Sequence, residues 1–144
     1  MIATGINPIY IELAWPQLWA AIEPAYRLSK EQPGPQEILR QIKNRELTAW
    51  CVFDDNKLVA GILVRLQRHV TSGHLICRIW LVGGTRMSGW LPDFLSKLIP
   101  WAKQEGCIAL IGSGRKGWAR CARHLGCIRV EDEPEGAAWR LDIA

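Results

Sequence analysis

Apolar side chains recur along this chain in two periods, and the change between them marks out the elements. Residues 8–13 hold enough strand formers to predict a short first strand. Pro16 is suited to the first position of a helix, and Leu18, Trp19, Ile22 and Tyr26 line one helical face after it. Pro24 predicts a break or kink in that helix. Residues 31–35 (Glu-Gln-Pro-Gly-Pro) read as a loop, and residues 36–44 as a short helix with Ile38, Leu39 and Ile42 on one side.

At Leu47 the period drops to two. Residues 47–53 are rich in strand formers, and residues 54–57 (Asp-Asp-Asn-Lys) carry turn chemistry. In residues 58–68, Ile62, Val64 and Leu66 alternate with Leu63, Arg65 and Gln67. A second turn at residues 70–73 leads to a third strand at 74–82, so two hairpins in succession predict an antiparallel meander. Residues 83–89 (Gly-Gly-Thr-Arg-Met-Ser-Gly) read as a loop. Residues 90–104 form the strongest helical pattern, with Leu91, Phe94, Leu95, Leu98, Ile99 and Ala102 at helical spacing. Pro100 inside it costs about 3 kcal/mol, to be met by a kink or by packing. Gly106 is a C-terminal stop.

The remainder reads as a short buried strand at 107–112, a loop at 113–116, and a short helix at 117–125 ending at Gly126. A strand at 127–131, a turn at 133–136 and a last strand at 137–143 complete the chain. In the last strand Trp139, Leu141 and Ile143 alternate with Arg140 and Asp142. The predicted order is β α α β β β α β α β β, an α/β (α+β) mixed sheet in a single domain spanning residues 1–144.

Composition narrows the class without naming an activity. The chain has 144 residues, 49% hydrophobic and 22% charged, which excludes a disordered or acidic solvating segment. A net charge of +4 permits an anionic ligand but does not mark a nucleic-acid binder. The start carries no secretory pattern, and no window approaches the roughly 18 uncharged apolar residues of a membrane span. The five cysteines, Cys51, Cys77, Cys107, Cys121 and Cys127, include no CxxC pair, which argues for free thiols in a reducing cytoplasm and against a disulfide framework or zinc site. The eight tryptophans read chiefly as large core side chains.

The charges are patterned. Between Asn56 and Pro92 stand Lys57, Arg65, Arg68, Arg78 and Arg86 with no carboxylate. Between Ser113 and Val130 stand Arg115, Lys116, Arg120, Arg123 and Arg129, again with none. Residues 113–117 (Ser-Gly-Arg-Lys-Gly) lack the spacing of a nucleotide phosphate loop, and Gly83-Gly84 lacks that of a dinucleotide fold. Cys121 and His124 lie three apart on a predicted helix, but nothing in place would orient them as a hydrolytic pair.

The order of elements resembles, over nearly the whole chain, the GNAT superfamily of N-acetyltransferases. In that family the strand before the long helix splays from its neighbour and receives the pantetheine arm of acetyl-CoA. The pyrophosphate lies over the turn that opens the helix, where free N–H groups and the helix dipole attract anions. The family's motif is Q/R-x-x-G-x-G/A, and this chain reads Arg86-Met87-Ser88-Gly89-Trp90-Leu91. The arginine and first glycine fit. Leu91 replaces the final small residue, where a side chain is expected to crowd the phosphates, and Pro92 removes a donor.

The resemblance implies that Arg86, Met87, Ser88, Gly89 and Trp90 hold the pyrophosphate, and that Leu81 and Val82 pair with pantetheine. It also implies an acceptor amine site formed by residues 19–35. The family's tyrosine acid falls at Ala122, and no carboxylate base stands on residues 74–82, leaving His69 and His74 as substitutes beside a turn.

Trp15-Pro16, the Gly83-Gly84 loop and residues 115–118 (Arg-Lys-Gly-Trp) further resemble short GNAT-like proteins of tailed phages and prophages. Two readings follow. One is an acyl-CoA-dependent N-acyltransferase using acetyl-CoA and an amine. The other is a catalytically silent phage or prophage component, cytoplasmic or virion-associated, acting through protein contacts.

Overall fold

The computed structural model describes residues 1–113, 120–121, 123–133 and 136–144. The chain runs β1 (Ile2–Gly5), a 3-10 turn (Pro8–Tyr10), α1 (Ile11–Leu28), α2 (Pro35–Lys43), β2 (Thr48–Asp54), β3 (Lys57–Arg68) and β4 (Leu75–Gly84). It continues with α3 (Met87–Gln104), β5 (Ala109–Gly112), β6 (Ile128–Glu133) and β7 (Gly136–Asp142). The strands form one sheet in the order β1-β2-β3-β4-β5-β7-β6, antiparallel throughout except for the β4–β5 pair. Of the predicted helix at 117–125, residues 120–121 and 123–124 are helical, and residues 117–119 and 122 lie outside the described residues.

The central sheet has a helical layer on each face. On one, Trp90, Leu91, Phe94, Leu95, Leu98 and Ala102 of α3 meet Val52, Ile62, Val64, Cys77, Ile79 and Leu110. On the other, Ile11, Leu18 and Ile22 of α1 and Ile38 and Ile42 of α2 meet Ala49, Cys51, Leu63 and Leu81. Each fully buried large side chain stabilises the fold by about 1.5–3 kcal/mol relative to exposure. Burial pushes the Cys51 thiol up to about 12, so within the core it stays a neutral hydrophobe.

Three readings of the local pattern are corrected. The first strand is Ile2–Gly5, paired with β2, whereas residues 8–13 form the 3-10 turn and the start of α1. Asn7 decides this: its side-chain oxygen accepts from Ile9 N at 3.2 Å, and Pro8 follows as the preorganised first residue. Pro16 therefore does not open α1, and neither it nor Pro24 ends it. Both prolines are exposed, as are Pro92 and Pro100 within α3, so the carbonyls they orphan face the side where water can bond them.

Gly83 and Gly84 are not a loop either; they finish β4 opposite Gly61 and Ala60. A Cβ at Gly83 would lie 1.9 Å from the backbone oxygen of Ala21, so α1 rests directly on glycine backbone there. Gly84 has φ +126 and offers no more room, with Val59 O 2.3 Å from a Cβ position.

Candidate functional site

β4 and β5 share three registered pairs, Cys77 with Leu110, Arg78 with Ile111 and Ile79 with Gly112. β5 ends at Gly112, while β4 continues from Trp80 to Gly84 with pairs to β3 alone among the described residues. One edge of that segment thus presents unpaired backbone groups, the kind of edge that an extended ligand can join. At the same height the β3–β4 register slips: Leu63 opposes Leu81, Val64 opposes Ile79, and Trp80 is the extra residue. The slip turns Trp80 and Leu81 to one face. They pack with the α1 side, whereas Ile79 and Val82 pack with the α3 side.

Only Thr85 and Arg86 connect β4 to α3. Thr85 N donates to Val59 O at 3.0 Å, and the indole of Trp90 donates to Thr85 O at 2.8 Å. Arg86 takes the left-handed conformation at φ 59, and Gly89 N turns back to Arg86 O at 2.9 Å. No side chain caps this helix, and its first turn carries no acidic residue. The positive end of the helix dipole therefore stands unneutralised beside the open edge of β4.

On the α1 face a second group gathers at the bulge. Trp80 Nε1 donates to Ser29 Oγ at 3.3 Å, just past the end of α1. The guanidinium of Arg65 lies 4.4 Å over the Trp80 ring and donates to Glu31 at 2.9 Å. Gln32 folds the same loop back by donating to the carbonyls of Arg27 and Ser29 at 3.0 and 3.2 Å.

No protein-family model matches the chain, and no curated protein does. Solved structures do. The GNAT domain of S. lividans PAT superposes with a TM-score of 0.69 at 9% identity, covering 97% of this chain and 89% of that one. An aminoglycoside 6'-N-acetyltransferase from Enterococcus faecium gives 0.68 at 14% identity, with 100% and 98% covered. A predicted acetyltransferase with acetyl-CoA from Clostridium acetobutylicum gives 0.65 at 13%, with 90% and 91% covered.

The chain has the GNAT fold.

Within the GNAT fold the expected cofactor residues are placed unequally. Leu81 is buried on the α1 side and Val82 half-buried on the α3 side, and both carry backbone at the open edge. Ser88 and Gly89 are exposed in the first turn of α3, and Met87 is half-buried there. Arg86 is exposed but engaged, donating to Asp54 at 2.8 Å; that bond holds the Asp54 carboxyl below the usual carboxylate range. Trp90 is 1% exposed, so its indole braces the turn from inside instead of facing a ligand. Leu91 is buried in the α3-side core, so its side chain does not overhang the turn. The side chain that does is that of Met1, whose methyl carbon would lie 2.4 Å from a Cβ at Gly89.

The expected acid–base groups do not converge on the open edge. His69 and His74 belong to the turn at the far end of β3 and β4, where His69 N donates to His74 O at 2.7 Å. Both tyrosines stand before residue 27, Tyr10 exposed and Tyr26 edge-on to Trp19. Ala122 and the cations Arg115 and Lys116 lie outside the described residues. Sequence reasoning missed Glu31, treated only as part of a Pro-Gly loop; Arg65, the charge that interrupts the apolar run from Leu58 to Leu66, was the available signal. Among the described residues no helix is long and apolar enough to cross a membrane.

Proposed function

We propose that the chain binds an acyl-CoA thioester, acetyl-CoA in the first instance, at the open edge of β4 and passes the acyl group to an amine. The observation that carries this reading is the end of β4–β5 pairing at Ile79 and Gly112 beside the uncapped start of α3. Peptide-like amides of pantetheine suit the unpaired edge at Leu81 and Val82. A diphosphate suits the first turn at Arg86, Met87, Ser88 and Gly89, with Trp90 bracing that turn through Thr85. A solved structure of the same fold holding acetyl-CoA supports the choice of ligand.

The amine nitrogen attacks the thioester carbon, a C–N bond forms, the C–S bond breaks, and the sulfur leaves as thiolate. The surplus proton on nitrogen passes to solvent, since no carboxylate or histidine of the described residues stands on β4.

That same lack favours a second reading, in which the fold holds its ligand or a partner without turnover, as a phage or prophage assembly component. Thermal unfolding separates the first step from both. Acetyl-CoA at a hundred times its dissociation constant adds about 2.7 kcal/mol. No shift at millimolar acetyl-CoA removes the transferase reading. A shift without acetylation of any amine, together with co-purification in a larger assembly, supports the second.

A further inference from the structure

Resting on the transferase reading, we infer that Ile79 sets the length of the acyl group, admitting acetyl and propionyl and turning away butyryl and longer chains. The order of groups in an acyl-CoA fixes its direction along β4. The diphosphate at residues 86–89 comes first, the pantetheine amides at Val82 and Leu81 next, and the thioester with its acyl group last. Along the strand that order leads to the vertex at Ile79 and Gly112, where β4 and β5 close. Beyond it Arg78 is paired with Ile111 and Cys77 with Leu110. The backbone groups between the strands are taken there, so an acyl chain has no edge to follow further. It ends at the vertex or leaves the plane of the sheet.

Both faces are walled at this height. On the α1 side stands Trp80, the extra residue of the bulge, its indole tied to Ser29 and its ring covered by the Arg65 guanidinium. An aliphatic chain turning that way meets a hydroxyl and a cation, and the cost of desolvating them opposes it. On the α3 side stands Ile79, 5% exposed, in the same apolar core as Phe94, Leu98 and Leu110. An acyl chain is favoured on this side, as apolar surface leaving water. Ile79 is flanked by the buried Val64 on β3 and by Gly112 on β5, which carries no side chain. A short acyl group thus has the bare backbone of Gly112 to lie against. Each further methylene has to push Ile79 into close-packed neighbours.

The test is calorimetry with acetyl-, propionyl-, butyryl- and octanoyl-CoA, which needs no acceptor amine. Wild type should bind acetyl- and propionyl-CoA alike and butyryl-CoA about ten-fold more weakly, with octanoyl-CoA weaker still; about ten-fold is the low end for one methylene too many in a fitted apolar pocket. I79A should bring butyryl-CoA to within about three-fold of acetyl-CoA. I79V, one methylene smaller than wild type, should improve butyryl-CoA about three-fold, and it carries the test if I79A does not fold. W80A opens the other face and should not raise the ratio of butyryl- to acetyl-CoA affinity. Butyryl- or octanoyl-CoA bound by wild type as tightly as acetyl-CoA overturns the inference and leaves the transferase reading standing. So does a ratio that I79A and I79V fail to raise, or that W80A raises as much as they do. Absence of acetyl-CoA binding overturns the transferase reading, and this inference with it.

Discussion

Arg86 donates to Asp54 across 2.8 Å, so the arginine of the helix-opening motif is already held by the end of β2. Both side chains are about half exposed, so solvent screens the pair and it holds the guanidinium only weakly. A diphosphate has to compete for this guanidinium. D54N should therefore tighten acetyl-CoA binding by up to about five-fold, and R86A should weaken it. Isothermal calorimetry reads both, and an unchanged constant in both variants would mean that Arg86 is not part of the site.

The connection between β4 and α3 depends on the Trp90 indole. W90F keeps most of the buried ring but leaves Thr85 O without its donor. The expected loss is about 1 kcal/mol in urea unfolding, with a weaker acetyl-CoA complex as the turn loosens. R86A should weaken binding without the loss of stability, so the two variants separate framing from contact.

The glycines beneath α1 should differ in cost. At Gly83 an added Cβ meets backbone, Ala21 O at 1.9 Å, and α1 has to move. At Gly61 it meets Leu18 Cδ1 at 2.6 Å, the end of a side chain that can turn. G83A should cost about 3 kcal/mol and G61A about 1 kcal/mol. Equal costs in chemical denaturation would contradict the close approach of α1 at Gly83.

The exposed edge of β1 is held by α3. Asp93 accepts from Ala3 N at 2.8 Å, and Lys97 donates to Ala3 O at 2.6 Å and to Asp93 at 3.1 Å. The Ala3 bond, then that of Lys97, keeps the Asp93 carboxyl below its ordinary pKa. A depressed carboxylate contributes fully above the unfolded value of about 3.9 and loses its contribution as pH falls through the folded value. D93A should cost about 1 kcal/mol at pH 7. The gap between wild type and variant should narrow as the pH drops below about 3.9, and a gap that persists into strong acid would assign the loss to packing.

Strand and helix periods were legible because burial imposes them. The meander, the long helix and the crossover follow from where Ile62, Val64, Phe94 and Leu98 fall. What misled was local chemistry read without its tertiary partner. Gly83 and Gly84 resemble a loop until α1 is laid across them, and Leu91 resembles an obstruction until it is seen to face the core. Arg86 was legible as a motif residue but not as the partner of Asp54, thirty-two positions away. Glu31 and Arg65 meet only because the α1–α2 loop returns over the bulge, a contact with no sequence spacing to announce it.

The single supernumerary residue at Trp80 has a consequence for how this entrance endures. Removing that one residue would bring β4 back into phase with β3, keep Leu81 opposite Leu63 on its present face, and straighten the strand toward its parallel neighbour. The doorway is thus written in backbone count more than in side-chain identity. Wholesale replacement of the lining can leave such a shape standing, just as the fold itself persists between this chain and proteins sharing only 9–14% of its residues.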